Sequence, residues 1–136
     1  MQLNIIYWSG TGNTEAMANF IKDGAESAGA SVTLKSVSGA SLDDTECDVL
    51  VLGCPSMGDE VLEESEFEPF MASIEGGIRG KKLALFGSYG WGDGQWMREW
   101  DARVKTAGAT LVTESLIVND APDGQECRDF SAKIAR

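Results

Sequence analysis

Ser9-Gly10-Thr11-Gly12-Asn13-Thr14 places three hydroxyls, a carboxamide and two glycines in six consecutive residues. The run follows an apolar segment and precedes a helical pattern. Glycines let backbone N–H groups converge, the hydroxyls add donors, and a helix N-terminus adds partial positive charge. That combination suits a phosphate monoester. No Lys or Arg lies in the run, so an anion there would be solvated by neutral dipoles, unlike a nucleotide-triphosphate loop with its Lys. A plain capped turn explains Gly12 and Asn13, but it does not require hydroxyls on both sides of the glycines. The phosphate reading is therefore preferred.

The elements that must position this run alternate along the chain. Leu3–Tyr7 reads as a buried strand. Thr14–Ala28 reads as a helix with Met17, Phe20, Ile21, Ala25 and Ala28 on one side and Gly29 as its stop. Ser31–Val37 is a weaker alternating strand. Asp48–Gly53 is nearly all apolar, as a central parallel strand should be. Phe67, Phe70, Met71 and Ile74 recur at helical spacing, ended by Gly76-Gly77. Leu83–Phe86 is a third apolar run. Trp96, Met97, Trp100 and Val104 mark another helix, closed by Gly108. Thr110–Val118 reads as a fifth strand, and Asp123 as the cap of a last helix carrying Cys127, Phe130 and Ile134. Five strands alternating with helices imply an α/β fold: a three-layer sandwich whose parallel sheet is covered on both faces. Ligands of such sheets sit beyond the carboxyl ends of the strands. Three glycine-containing loops, 8–14, 53–60 and 87–94, follow strand ends and should share one edge of the sheet.

Composition narrows the chemistry. The 136 residues suit one domain spanning 1–136, and 43% hydrophobic content supports a packed core. No apolar run approaches the ~20 residues of a membrane span, and nothing at the N-terminus reads as a signal peptide. Three cysteines without a CxxC spacing fit reduced thiols and a cytoplasmic location. The chain has no His, which removes the commonest general base and metal ligand. A formal charge of −11 disfavours nucleic acid and anionic membranes as partners.

With the three loops in view, the chain resembles the flavodoxins over essentially its whole length, and most of all the short-chain kind of clostridia and related anaerobes. Ser9–Thr14, then Gly53-Cys54-Pro55-Ser56-Met57-Gly58-Asp59-Glu60, then Gly87-Ser88-Tyr89-Gly90-Trp91-Gly92-Asp93-Gly94 match in type, order and spacing. One such loop is a weak signal; three at the correct strand ends form a strong one. The resemblance implies strand order 2-1-3-4-5 and non-covalently bound FMN. It also implies a low-potential one-electron carrier working between the semiquinone and hydroquinone states, with no substrate chemistry of its own.

The resemblance then distributes roles. The FMN phosphate falls among the side chains of Ser9, Thr11, Asn13 and Thr14 and the loop amides, including those of Gly10 and Gly12. Met57 faces the inner side of the ring, where a polarizable thioether suits an aromatic surface. Gly58-Asp59 matches the redox-linked turn, read as type II′ with Met57 at its first position and Glu60 at its fourth. There the Gly58 carbonyl turns over to accept the proton of reduced N5, a flip that glycine permits cheaply. A bond worth about 1 kcal/mol in one redox state only would separate the two potentials. Glu60 is implied to accept from the ring N3–H. Trp91, between two glycines that offer it no packing partners, stacks on the outer face. The amides of Tyr89, Gly90, Trp91 and Gly92 reach the pyrimidine edge, and Pro55, Ser56, Ser88 and Asn119 complete the expected contacts. Some relatives carry Ser where this chain has Pro55, which supplies neither hydroxyl nor N–H. Trp8 either shields the phosphate and ribityl chain or covers the sheet edge. Trp96 and Trp100, at i and i+4, read as core.

Six acids and no base occupy 59–68: Asp59, Glu60, Glu63, Glu64, Glu66 and Glu68. They suit a helix's first turn. They would also disfavour a reduced flavin anion. One charge about 10 Å away contributes roughly 0.4 kcal/mol, or roughly 20 mV for one electron, even in water. The same field would steer basic-faced redox enzymes that otherwise use ferredoxin, met by a monomer. Two other classes compete. A phospho-receiver domain needs an Asp ending the third strand and paired acids ending the first; Gly53-Cys54-Pro55 and Trp8-Ser9 stand there instead. A flavin enzyme needs an open ring face, against which Met57 and Trp91 argue.

Overall fold

The computed structural model describes residues 1–135. Its sheet is wholly parallel, with β1 (Gln2–Tyr7), β2 (Ser31–Ser36), β3 (Val49–Gly53), β4 (Lys82–Tyr89) and β5 (Thr110–Leu111) in the order β2-β1-β3-β4-β5. A further short strand, β6 (Leu116–Asn119), pairs with β4 beyond β5. The helices are α1 (Asn13–Ser27), α2 (Phe67–Glu75), α3 (Gln95–Thr106) and α4 (Gly124–Ile134).

Period-two alternation sorts each apolar strand onto two cores. Leu3, Ile5, Val49, Val51, Ala84 and Phe86 point to the side of α1 and α4 and meet Met17, Ile21, Phe130 and Ile134. Ile6, Leu50, Leu52, Leu83 and Leu85 point to the side of α2 and α3 and meet Phe67, Met71, Trp96 and Trp100. An unbroken apolar run in the sequence is thus the mark of a strand buried on both faces. β2 lies at the edge and is only partly covered, which accounts for its weaker pattern.

The expected continuous strand over 110–118 is two pieces. Leu83 pairs with Leu111 and Phe86 with Leu116, so the edge chain advances five residues while β4 advances three. Thr113, Glu114 and Ser115 form the excursion, and the Ser115 hydroxyl donates to Asp101 of α3 at 2.5 Å. An edge strand has a neighbour on one side only, so two extra residues can loop out there as they could not in β3. The weak strand over 31–37 also ends sooner, because Val37–Gly39 turns into a short 3₁₀ segment. Asp123 caps α4 as expected, its carboxylate accepting from the Gln125 N–H at 2.8 Å.

α1 and α4 lie close enough that Gly24 has no room for a side chain. A Cβ there would stand 2.1 Å from Ser131 Oγ and 3.1 Å from the Arg128 Cα. Ala would gain about 1 kcal/mol of helix propensity, but overpacking costs typically 1–3 kcal/mol. Gly24→Ala should therefore lower apoprotein stability by about 1 kcal/mol in urea unfolding.

Candidate functional site

β1 and β3 end level with one another, Tyr7 beside Gly53, and Gly53 pairs with Phe86. β4 runs on to Tyr89, paired there with β6, so the third loop expected over 87–94 begins only at Gly90. The three glycine-containing loops leave from that edge and enclose a crevice of about 250 Å³. Its walls include Gly10 and Thr11 from the first loop and Asn13 at the start of α1, Pro55, Ser56 and Met57 from the second loop, and Ser88 and Tyr89 at the end of β4 with Gly90 after it. The switch in chain direction between β1 and β3 puts it where doubly wound sheets bind ligands.

The first loop is organised around Ser9. Its hydroxyl oxygen accepts from the N–H groups of Gly12 and Glu15, each at 3.2 Å, and so ties the loop to the start of α1. Gly12 precedes the helix in the left-handed region, φ 100°. Among the described residues the N–H groups of Gly10, Thr11 and Asn13 take no protein partner. Donors left free in this way, at a helix N-terminus, are what an anion requires. Thr14 is placed differently. It is 1% exposed and its hydroxyl pairs with that of Ser88 at 2.9 Å, joining α1 to β4 beneath the crevice.

The second loop is a closed hairpin. Met57 and Val61 exchange both backbone bonds, 2.8 and 2.9 Å. The expected turn from Met57 to Glu60 is thus one residue wider and closes at Val61. Two residues at its tip adopt positive φ: Gly58 at 50° and Glu60 at 56°. Glu60 has a Cβ that disfavours this conformation by roughly 1–2 kcal/mol. It is held by its carboxylate, which accepts from the Gln95 N–H at the first turn of α3, 3.0 Å. Glu60 is 8% exposed and does not line the crevice.

Behind the hairpin, the Glu63 carboxylate accepts from the N–H groups of Ser65 (2.8 Å), Glu66 (2.7 Å) and Phe67 (2.9 Å), and from the Ser65 hydroxyl. Burial alone would raise its pKa; these donors more than offset that and hold it at about 2. Cys54 beside it is fully buried, and burial pushes its thiol up to about 12, so it is no nucleophile at neutral pH. Glu68 forms a two-pronged ion pair with Arg103, 2.7 Å on each prong. The acidic run is therefore not uniform. Glu60 and Glu63 face inward, Glu68 is offset by Arg103, and Asp59, Glu64 and Glu66 are exposed.

In the third loop Trp91 is 63% exposed, the most exposed large apolar side chain among the described residues. Gly92 follows it at φ 89°. Trp96 and Trp100 are buried in the core, as their spacing indicated. Asn119 does not line the crevice; its carboxamide donates to the Tyr89 carbonyl at 3.2 Å and steadies that wall. The next residue, Asp120, does line it, at φ 57° with its N–H on the Tyr89 carbonyl. Sequence reasoning passed over Asp120. The only signal was an Asn-Asp pair closing the fifth strand at the same sheet edge. Trp8 also lines the crevice, its ring lying over Gly10, where a Cβ would come within 2.9 Å of it.

A parallel sheet wrapped on both faces, with a crevice at its switch point that no Lys or Arg lines, defines a small doubly wound α/β domain with a ligand-binding edge. Comparison with known proteins gives the family. The flavodoxin family model matches residues 5–130. The flavodoxin of Clostridium beijerinckii is 52% identical, covering 98% of this chain and 99% of its own, and that of Megasphaera elsdenii is 46% identical, covering 98% of each. The solution structure of two-electron reduced Megasphaera elsdenii flavodoxin superposes with TM-score 0.92 at 47% identity over 98% of each chain. An archaeal flavodoxin structure does so with TM-score 0.88 at 28% identity, over 99% of this chain and 96% of its own. The chain belongs to the flavodoxin family, and within it to the short-chain anaerobe type. It is an FMN-binding, low-potential electron-transfer protein, not an enzyme.

Glu63 gives a pH-dependent prediction. Its folded pKa lies below the ordinary value of 4.5, so its contribution is present above that value and is lost as pH falls from 4.5 toward 2. Glu63→Gln should cost about 1–2 kcal/mol at pH 7. The gap from the parent protein should close progressively below pH 4.5, as read by paired urea-unfolding curves.

Proposed function

We propose that FMN lies across the crevice with its phosphate on the Ser9–Thr14 loop and its ring between Met57 and Trp91. The observation that carries this is the convergence of free N–H donors from Gly10, Thr11 and Asn13, with no Lys or Arg among the lining residues. The Gly12 N–H and the Thr14 hydroxyl are already engaged and so shape the loop, whereas Ser9 accepts two loop N–H groups and keeps its own O–H to donate. Pro55, Ser56, Ser88 and Tyr89 form the walls, with the amides of Gly90, Trp91 and Gly92 on the pyrimidine edge. Gly58 and Asp59 sit at the exposed tip of the hairpin, where a peptide can rotate without disturbing the core. Glu60 and Asn119 act from behind, through α3 and Tyr89.

When bound, FMN supplies one-electron chemistry. The chain's contribution is positioning and field. Met57 and Trp91 exclude water from the ring. Asp120 in the wall, and Asp59, Glu64 and Glu66 outside, oppose added negative charge and so favour a low potential. The exposed acids also suit docking on basic-faced redox enzymes that otherwise use ferredoxin. The working unit is one FMN-binding domain over 1–136, acting as a monomer in the cytoplasm. No helix among the described residues is long and apolar enough to cross a membrane.

The purified chain should be yellow with twin flavin bands and should reduce in two resolved one-electron steps. A chain that stays colourless with added FMN, or that turns over a quinone with NAD(P)H unaided, would overturn the assignment. Trp91→Ala should weaken FMN binding about tenfold, given about 0.5–1.5 kcal/mol for stacking beyond area burial. Asp120→Asn should raise the potential of the second electron by roughly 20 mV, measured by dithionite titration against a reference dye.

A further inference from the structure

The second loop is fastened at both ends to one place, the first turn of α3. At its start, the carbonyl of Cys54 accepts from the indole N–H of Trp96 at 3.1 Å, in a buried setting. At its end, the carboxylate of Glu60 accepts from the N–H of Gln95 at 3.0 Å. The intervening chain has few other fixings. Pro55 has no N–H to donate, and Ser56 donates to the Ser88 carbonyl at 3.0 Å.

Space around the first fixing is tight. The Cys54 carbonyl passes between β4 and the indole through the gap left by Gly87, where a Cβ would stand 2.2 Å from that oxygen and 3.1 Å from Trp96 Cζ2. The Cys54 N–H meanwhile donates to the Phe86 carbonyl at 3.1 Å. Both polar groups of Cys54 are thus engaged, one by the sheet and one by α3. Trp96 also packs on Tyr89, ring centroids 5.6 Å apart, and Tyr89 is a wall of the crevice. Trp96 therefore touches both the β3 side and the β4 side of the site from behind, without lining it.

Trp100 provides an internal contrast. It lies one turn further along the same helix and is as deeply buried, 1% exposed against 2%. Its indole N–H has no partner among the described residues. Packing alone accounts for Trp100. Packing does not account for an indole N–H directed at the one carbonyl from which the redox loop departs.

We propose that the first turn of α3 clamps residues 54–60 at both ends, and that Trp96 is a positioning residue that fixes the Met57-Gly58 segment against the flavin. The proposal rests on the FMN site described above. A loop held at both ends keeps Met57 and the Gly58 peptide in register with the ring through changes of redox state. Loosening one end should alter affinity and also the spacing of the two potentials.

Trp96→Phe removes the N–H and keeps most of the ring. It should raise the FMN Kd about fivefold or more and change the separation between the two one-electron midpoints. Trp100→Phe should leave the Kd within twofold and both midpoints in place, even if it lowers the unfolding midpoint as much. Parent-like Kd and midpoints in Trp96→Phe, or equal shifts in both variants, would overturn the proposal. Should Trp96→Phe fail to fold, β-(3-benzothienyl)alanine at position 96 keeps the ring volume and lacks the N–H; unchanged Kd and midpoints there would be equally decisive against it. Hydrogen exchange of the apoprotein separates the two claims. The Met57 and Val61 amides should exchange faster in Trp96→Phe and not in Trp100→Phe. A parent protein that does not bind FMN would sink the site assignment and leave that exchange comparison standing as the test of the clamp.

Discussion

Three neighbouring strands must run parallel and in register, and the site follows from that. The ladder that sets Tyr7 beside Gly53 and Gly53 beside Phe86 makes the loops after β1, β3 and β4 leave one edge together. Parallel strands with their crossover helices on both faces leave that edge as the one place where backbone donors can converge on a ligand. A shift of one residue in β3 would turn its whole apolar set to the opposite face. Burial of both faces therefore fixes the register, and through it the geometry of the crevice.

Charge is the second constraint. A phosphate held by neutral N–H donors keeps its full charge, and no Lys or Arg lines the crevice to cancel it. The acidic run adds to this field unevenly. Glu63 is spent on backbone donors at the start of α2, Glu60 on the start of α3, and Glu68 on Arg103. The carboxylates that face solvent are the ones available to a partner. Helix capping, loop geometry and surface charge thus draw on different members of one stretch of sequence.

Much of this was legible in the chain. Continuous apolar runs announced strands buried on both faces, and Phe67, Met71 and Ile74 announced α2. The hydroxyl-and-glycine run at 9–14 announced a loop between β1 and α1, and three of its N–H groups take no partner among the described residues. Other features were not legible, because they depend on which segment lies alongside. Thr14 looks like a phosphate donor in sequence, but its hydroxyl is turned to Ser88 from 74 residues away. Glu60 reads in sequence as an acceptor for the ring N3–H, yet its carboxylate closes onto the Gln95 N–H of α3 and does not line the crevice. The break at 112–115 is silent in sequence, since only the pairing with β4 reveals two extra residues.

The sequence by itself determined the alternation of strands and helices, the apolar faces, the three glycine-bearing loops and the excess of negative charge. These are properties of local composition and spacing, and they survive without knowledge of neighbours. Tertiary structure alone decided which hydroxyls are free, where the hairpin closes, which acids face solvent and what the Trp96 indole holds. Each of those is a hydrogen bond or contact between residues distant in the chain, and a donor's partner is chosen by proximity in space rather than by the donor's own type.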